Sequence, residues 1–184
     1  MRIITGKYKY KKLYEFNVPT TRPTSDKVKE ALFDILNSLD DLICLDLFAG
    51  TGALGLEALS RNAKMCYFCE SNIDIYKILV KNFQNVGVDN TQINALRSDY
   101  LKALKWYKSK GIIFDIVFID PPYKTTLAEN AINFIIENNM LSENGVICWE
   151  HDKTKLEIIN NYNILKHKKY GSVYLTFVDN YAQV

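Results

Sequence analysis

Four acidic residues follow apolar runs of the chain: Asp46, Glu70, Asp99 and Asp120. Runs of this length and composition predict buried β-strands, and the carboxyl ends of parallel strands meet at one edge of a sheet, where ligands bind. Carboxylates collected there could accept hydrogen bonds from ribose hydroxyls or from an amine. The sequence therefore predicts one acid-rimmed site shared by several strands.

A glycine turn follows the first of these strands, with the spacing Gly50-x-Gly52-x-x-Gly55. Glycine lets the backbone adopt positive φ and approach a ligand closely, and the helix that follows offers unpaired N–H groups. Glu70 lies 18 residues beyond Gly52, near the distance expected for a carboxylate that binds ribose. The spacing fits both a dinucleotide-binding turn and a methyl-donor loop, so it predicts a nucleotide site without choosing between them.

The segment Asp120-Pro121-Pro122-Tyr123 directly follows an apolar strand. Two consecutive prolines stiffen the backbone, so the Asp120 carboxylate and the Pro121 carbonyl can serve as two fixed acceptors beside an aromatic ring. A planar exocyclic amine could donate one hydrogen to each acceptor while Tyr123 stacks on the base. This is the arrangement that an enzyme acting on an extruded base requires.

The elements around these residues alternate between strand and helix. Predicted strands cover 42–46, 64–69, 92–96, 114–119 and 146–149, and an antiparallel hairpin covers 163–169 and 173–178. We expect Ser25, Ser71 and Thr126 to cap three of the intervening helices. Apolar strands alternating with amphipathic helices predict a mostly parallel sheet covered on both faces.

The amino-terminal end carries an excess of positive charge. Residues 1–30 contain eight Lys and Arg against three acids, a net +5 within a chain whose total is +2. Segments 1–5 and 12–16 predict two short strands around Gly6, with Tyr8, Tyr10 and Tyr14 between the lysines. This basic hairpin could bind nucleic acid, with aromatic rings stacking on bases, or be a solvated tail.

The 184 residues predict one globular domain. The four cysteines lie in apolar runs, so we expect buried thiols rather than disulfides or a zinc site. No run approaches the length of a membrane span, and no signal peptide is evident. We therefore expect a cytoplasmic protein without a bound metal.

Three separated motifs together resemble one family. Arg22-Pro23-Thr24-x-Asp26-x-Val28, then Leu45 to Arg61 with its Phe-Ala-Gly-Thr-Gly core, then Asp120 to Tyr123 are similar to the bacterial 16S rRNA guanine-N2 methyltransferases that modify guanine 966. The resemblance runs from Arg2 to the final hairpin. Thr51 stands where many members have serine, and the segment after Tyr123 is not distinctive.

The resemblance implies a Rossmann-like α/β fold of the class I S-adenosylmethionine methyltransferases. The sheet would have seven mostly parallel strands with helices on both faces, residues 25–184 would form the methyltransferase domain, and residues 1–24 would form a basic hairpin and loop. S-adenosylmethionine would be held by seven residues: Asp46, Phe48, Gly50, Gly52, Glu70, Asp99 and Tyr100. In this pattern Glu70 serves the ribose, and Asp99 with the Tyr100 backbone serves the adenine.

The same resemblance implies catalysis by Asp120, Pro121 and Tyr123. RNA would be met by residues around the site and on the hairpin: Lys11, Lys12, Arg22, Thr24, Lys27, Pro122 and Tyr123. The expected partner is 16S rRNA in an assembling or assembled small ribosomal subunit, and the enzyme is expected to be a monomer.

Three other functions remain open from the sequence. A nicotinamide oxidoreductase fits the glycine spacing, although three residues separate Asp46 from Gly50 and hydride transfer has no use for Asp-Pro-Pro-Tyr. An N6-adenine methyltransferase of DNA or RNA would use a similar tetrapeptide, because the amine chemistry is the same. A non-catalytic RNA-binding assembly factor could keep the fold without turnover.

Overall fold

A computed structural model describes residues 1–16, 26–122 and 125–180. The five α-helices in these ranges are α1 (Asp26–Leu36), α2 (Ala53–Ser60), α3 (Ile73–Val86), α4 (Tyr100–Ser109) and α5 (Leu127–Glu137). The seven strands are β1 (Ile43–Asp46), β2 (Met65–Glu70), β3 (Ile93–Arg97), β4 (Phe114–Ile119), β5 (Leu141–His151), β6 (Ile164–Tyr170) and β7 (Val173–Val178).

The strands form one sheet in the order β3-β2-β1-β4-β5-β7-β6. The first five in this order are mutually parallel, whereas β7 is antiparallel to both β5 and β6. The order in which strands are added to the sheet switches sides between β1 and β4: β2 and β3 lie on one side of this point, and β4 and β5 lie on the other. Such a switch point is where open α/β sheets bind ligands.

Each face of the sheet is covered by its own helices. On one face α1, α2 and α3 contribute Leu32, Leu56 and Leu79 to a buried cluster. On the other face α4 and α5 contribute Leu104 and Ile132. The predicted parallel sheet with two covered faces and a reversed final hairpin is therefore confirmed, and none of the described helices is both long and apolar enough to cross a membrane.

The predicted amino-terminal hairpin is only partly formed, because its two segments pair antiparallel without making regular strands. Residues 1–13 instead make a compact loop with one isolated antiparallel bridge, between Arg2 and Lys12. Ile3 and Leu13 are buried against α1 and α2 in the same apolar cluster as Leu32. Backbone hydrogen bonds cross the loop, from the Ile3 N–H to the Lys11 carbonyl at 2.9 Å and from the Leu13 N–H to the Met1 carbonyl at 3.0 Å. Helix side chains add to these bonds, and the Glu57 carboxylate accepts from two consecutive backbone N–H groups of the loop.

Of the predicted helix caps, Ser71 is wrong and Thr126 has the N-cap position without the capping hydrogen bond. Asn72, not Ser71, caps α3, because its side chain accepts from the backbone N–H groups of Asp74 and Ile75. Thr126 precedes α5 but makes no side-chain capping bond there. The cap expected at Ser25 lies outside the described residues. The fifth strand is also longer than predicted, since β5 extends over Leu141–His151.

Candidate active site

A cavity of about 630 Å³ opens at the carboxyl ends of β1, β2 and β4 and the start of α4. All four acids that follow predicted strands line it: Asp46, Glu70, Asp99 and Asp120. Its volume lies in the range of cavities that hold cofactors. The structure therefore brings together, at one rim, carboxylates that are up to 74 residues apart in the chain.

The glycine turn between β1 and α2 forms one wall of this cavity. Gly50 (φ 53°) lines the cavity, together with Thr51. Gly52, which the sequence predicted to contact the ligand, is not among the lining residues. Its φ of 87° makes the turn, and a Cβ at this position would come within 2.5 Å of Leu79 Cδ1. Gly52 is thus required by the turn and by the packing of α2 against α3.

Asp46 is the most enclosed of the four acids, with 3% of its surface exposed. Its Oδ2 accepts a hydrogen bond from the backbone N–H of Gly55, in the first turn of α2, at 2.9 Å. Burial raises the pKa of Asp46 to about 7, and the negative charge of Glu70 acts in the same direction against the bond from Gly55. A cationic group arriving in the cavity would favour the ionised carboxylate.

Glu70 is held by two backbone N–H groups. Oε2 accepts from Gly50 at 3.0 Å, and Oε1 accepts from Asn72 at 2.7 Å. Burial raises the pKa of Glu70, while these hydrogen bonds act in the opposite direction. The carboxylate therefore fixes the glycine turn against the start of α3 while it lines the cavity.

Asp99 caps α4, because its Oδ1 accepts from the backbone N–H groups of Leu101 and Lys102. Next to it, the rings of Phe48 and Tyr100 lie 5.4 Å apart between centroids and both line the cavity. This corner thus combines a carboxylate with an aromatic surface, which suits a flat, polar-edged ring such as a nucleobase.

At the end of β4, the cavity is lined by Asp120, Pro121 and Pro122. Thr125 is held by two hydrogen bonds: its Oγ1 donates to the Pro122 carbonyl at 2.9 Å, and its carbonyl accepts from Lys155 Nζ at 2.6 Å. Tyr123 lies outside the described residues.

One wall of the cavity was missed by sequence reasoning. Met1, Glu15 and Phe16 line it from the amino-terminal side, and the Met1 ammonium pairs with the Glu15 carboxylate. The only sequence signal was an aromatic residue beside an acid at the end of the predicted hairpin, which by itself indicates nothing about a cavity formed some 30 residues further along the chain.

The described basic residues that were expected to bind RNA lie outside the cavity. Lys11, Lys12 and Lys27 have exposed side chains, and none of the three lines the cavity. Arg22 and Thr24 lie outside the described residues. Among the described residues, no group of three or more His, Cys, Asp or Glu could hold a metal ion, and all four cysteines are buried free thiols.

The strand order, with its reversed seventh strand, and the cavity at the switch point define the class I fold of S-adenosylmethionine-dependent methyltransferases. Comparison with known proteins narrows this class. The chain belongs to the family described as "Conserved hypothetical protein 95", whose sequence profile matches residues 1–179.

Two curated relatives and one solved structure illustrate the similarity. Ribosomal RNA small subunit methyltransferase D of Haemophilus influenzae is 40% identical over 175 residues, which cover 94% of this chain and 90% of that protein. The protein of the same name from Escherichia coli K12 is 37% identical over 83% of this chain and 75% of its own length. The solved Escherichia coli protein yhhF has a TM-score of 0.82 and 34% identity, over 100% of this chain and 99% of that chain.

Proposed function

We propose that this protein transfers a methyl group from S-adenosylmethionine to the exocyclic N2 amine of a guanine in 16S rRNA of the small ribosomal subunit. The observation that carries the proposal is the cavity that joins the acid-rimmed glycine turn to Asp120, Pro121 and Pro122. Relatives at 37–40% identity are named as methyltransferases of ribosomal RNA, which supports an rRNA substrate. The choice of guanine N2 rests on the motif resemblance.

The cavity residues fit this cofactor. Asp46, with its raised pKa, and the turn at Gly50 are proposed to hold the cationic methionine end, with Phe48 packing beside it. Glu70 is proposed to bind the ribose hydroxyls. Asp99 and the Tyr100 backbone are proposed to bind the adenine, since Asp99 lines the cavity while its Oδ1 caps α4.

Catalysis would consist mainly of alignment. The cofactor, when bound, supplies a methyl group activated by a sulfonium. The guanine amine is a weak nucleophile because its lone pair is delocalised into the ring. We propose that the Asp120 carboxylate and the Pro121 carbonyl each accept one amine hydrogen and so direct the lone pair, while Tyr123 stacks on the base. Such alignment is worth up to about 7–11 kcal/mol.

The developing positive charge on the nitrogen is stabilised by the same two acceptors. A strong base is unnecessary, since a methylated amine cation releases its proton readily. Asp120→Ala should therefore fold and bind cofactor while losing turnover by a factor of roughly 100 or more. Methyl transfer and calorimetric binding of S-adenosylhomocysteine test this, and near-normal turnover would remove Asp120 from the assignment.

The decisive experiment is transfer of a labelled methyl group to undermodified 30S particles, followed by nucleoside analysis. N2-methylguanosine is the expected product. N6-methyladenosine would retain the cofactor and the role of Asp120 but overturn the substrate. Binding of S-adenosylhomocysteine without transfer to any rRNA-containing particle would favour a non-catalytic assembly factor.

Five residues near the amino-terminal end would contact the rRNA. We propose this role for Lys11 and Lys12, and for Arg22, Thr24 and Lys27 nearer the start of α1. Replacing Lys11 and Lys12 by Ala should reduce the slope of log affinity against log salt by about 1.5, because two phosphate contacts are lost. Filter binding to 30S particles between low and physiological salt measures the slope, and an unchanged slope would return these lysines to a solubilising role.

A further inference from the structure

Asn82 forms hydrogen bonds to two segments that line the cavity, the glycine turn and the end of the amino-terminal loop. It lies on α3 with no exposed surface, and its carboxamide forms three hydrogen bonds to backbone groups. Oδ1 accepts from the Tyr14 N–H at 2.7 Å, and Nδ2 donates to the Tyr14 carbonyl at 3.0 Å. The second Nδ2 hydrogen is directed to the Thr51 carbonyl at 2.9 Å.

The two segments that Asn82 joins both belong to the cavity. Thr51 stands in the glycine turn and lines the cavity, and Tyr14 directly precedes Glu15 and Phe16, which also line it. On its outer side Tyr14 is 44% exposed, with Lys81 Nζ 3.8 Å from its ring centroid. The inner side of this segment therefore meets the cavity, and its outer side presents an aromatic ring and a cation to solvent.

We propose that Asn82 is a positioning residue that couples the cofactor turn to residues 14–16, so that cofactor and rRNA bind cooperatively. The inference rests on the proposed function. Cofactor in the cavity would immobilise the turn, and the shared carboxamide would transmit this order to Tyr14 and the two residues after it. A partner that docks on the ordered segment then loses less conformational entropy, which makes the second binding event more favourable.

The chemistry of asparagine is specific to this task. A carboxamide supplies one acceptor and two donors, and here both donors face carbonyl oxygens. An aspartate of nearly the same size keeps the acceptor for Tyr14 but turns a carboxylate oxygen toward the Thr51 and Tyr14 carbonyls. Asn82→Asp should therefore separate the two walls while retaining the bond from the Tyr14 N–H.

The same helix offers a matched control. Asn85 lies one turn further along α3 and donates to the Lys12 carbonyl at 2.6 Å, so it also fastens the amino-terminal loop. Its side chain is exposed, and its hydrogen bond goes to the amino-terminal loop, not to the glycine turn. Asn85→Ala thus loosens the loop without touching the link to the cofactor turn.

Hydrogen exchange of the unmodified protein provides the first test and requires no RNA. Addition of S-adenosylhomocysteine should slow exchange of the Tyr14 amide by at least about fivefold, along with amides of the glycine turn. Protection of the turn without protection at Tyr14 would overturn the coupling while leaving cofactor binding intact. Absence of binding would instead count against the proposed function.

The second test measures the ratio of affinities for undermodified 30S particles with and without saturating S-adenosylhomocysteine. We expect a ratio of at least about five for the unmodified protein and for Asn85→Ala, and a ratio within twofold of one for Asn82→Asp. Because each ratio is taken within one folded variant, a uniform loss of stability does not change it. A ratio near one in the unmodified protein, or an unchanged ratio in Asn82→Asp, would overturn the inference.

Discussion

Two buried carboxylates stand at opposite ends of α2 and are used in opposite ways. Asp46 lies beside the helix start, lines the cavity and accepts one backbone N–H, and among the described residues it forms no ion pair. Glu57 lies near the helix end and receives four donors: the Lys29 ammonium, the Arg61 guanidinium and the N–H groups of Ile4 and Thr5.

The difference separates a carboxylate that faces the cavity from one that holds the fold. A buried charge is tolerated when cations and hydrogen bonds compensate for lost hydration, and Glu57 has both. At Asp46 the compensation is partial, so burial raises its pKa to about 7. Binding energy is thus available at Asp46 to an incoming cation, whereas at Glu57 it is already used to attach the amino-terminal loop to α1 and α2.

The largest effect should come from breaking the compensated site. Glu57→Gln leaves the buried Lys29 ammonium without its counter-charge and turns amide hydrogens toward existing donors. Removing one partner of such a pair typically costs about 3–5 kcal/mol of the free energy of unfolding. Urea unfolding followed by circular dichroism measures this loss.

The exposed pair of Lys77 and Asp74, on α3, is the natural control. Lys77→Ala should change the free energy of unfolding by less than about 1 kcal/mol, because solvent screens an exposed pair. Equal losses for Glu57→Gln and Lys77→Ala would mean that the buried network does not hold the amino-terminal loop.

Asp46→Asn should have a smaller effect, and the effect should be on cofactor affinity instead of on the free energy of unfolding. An amide can still accept from the Gly55 N–H, so the fold should persist. If the proposed charge-assisted contact to the cofactor is made, its loss should weaken S-adenosylhomocysteine binding by about 1.5–3 kcal/mol, or roughly 10- to 100-fold. Calorimetry measures it, and unaltered affinity would show that Asp46 serves only the turn into α2.

The free energy of unfolding should also respond differently to substitution of Asp46 and of Glu57. The pKa of Asp46 in the folded protein lies above its ordinary value, so at pH 8 its ionisation opposes folding. Asp46→Asn removes that cost, and its free energy of unfolding at pH 8 should be unchanged or higher. If Asp46→Asn lowered the free energy of unfolding as much as Glu57→Gln, the two carboxylates would have the same structural role.

The acid-rimmed edge could be predicted from the sequence because it depends on local signals. Each apolar run indicated a parallel strand, and the geometry of parallel strands then placed Asp46, Glu70, Asp99 and Asp120 at one edge. The glycine spacing similarly predicted the turn. It did not reveal that Gly52 leaves space for the Leu79 side chain, because Leu79 lies on α3, a separate element of the chain.

The amino-terminal loop could not be predicted in the same way. Alternation around Gly6 favoured a hairpin, yet the backbone groups of Ile4, Thr5 and Tyr14 bond to side chains 52 to 68 residues away. Polar residues on helices give no sequence sign that they will be buried against a distant backbone. The wall formed by Glu15 and Phe16 was missed for this reason.

The pH dependence of cofactor binding should show the finest difference between the two acids. With a pKa of about 7, Asp46 is mostly protonated at pH 6 and mostly ionised at pH 8. A cation bound beside it favours the ionised form, so binding releases a proton below pH 7. Affinity for S-adenosylhomocysteine should therefore rise about tenfold between pH 6 and pH 8 and level off above. Calorimetry in buffers of different ionisation enthalpy detects the released proton.

The affinity of Asp46→Asn should depend little on pH. If its affinity instead rises as steeply with pH as that of the unmodified protein, the titrating group is Glu70, whose pKa burial also raises.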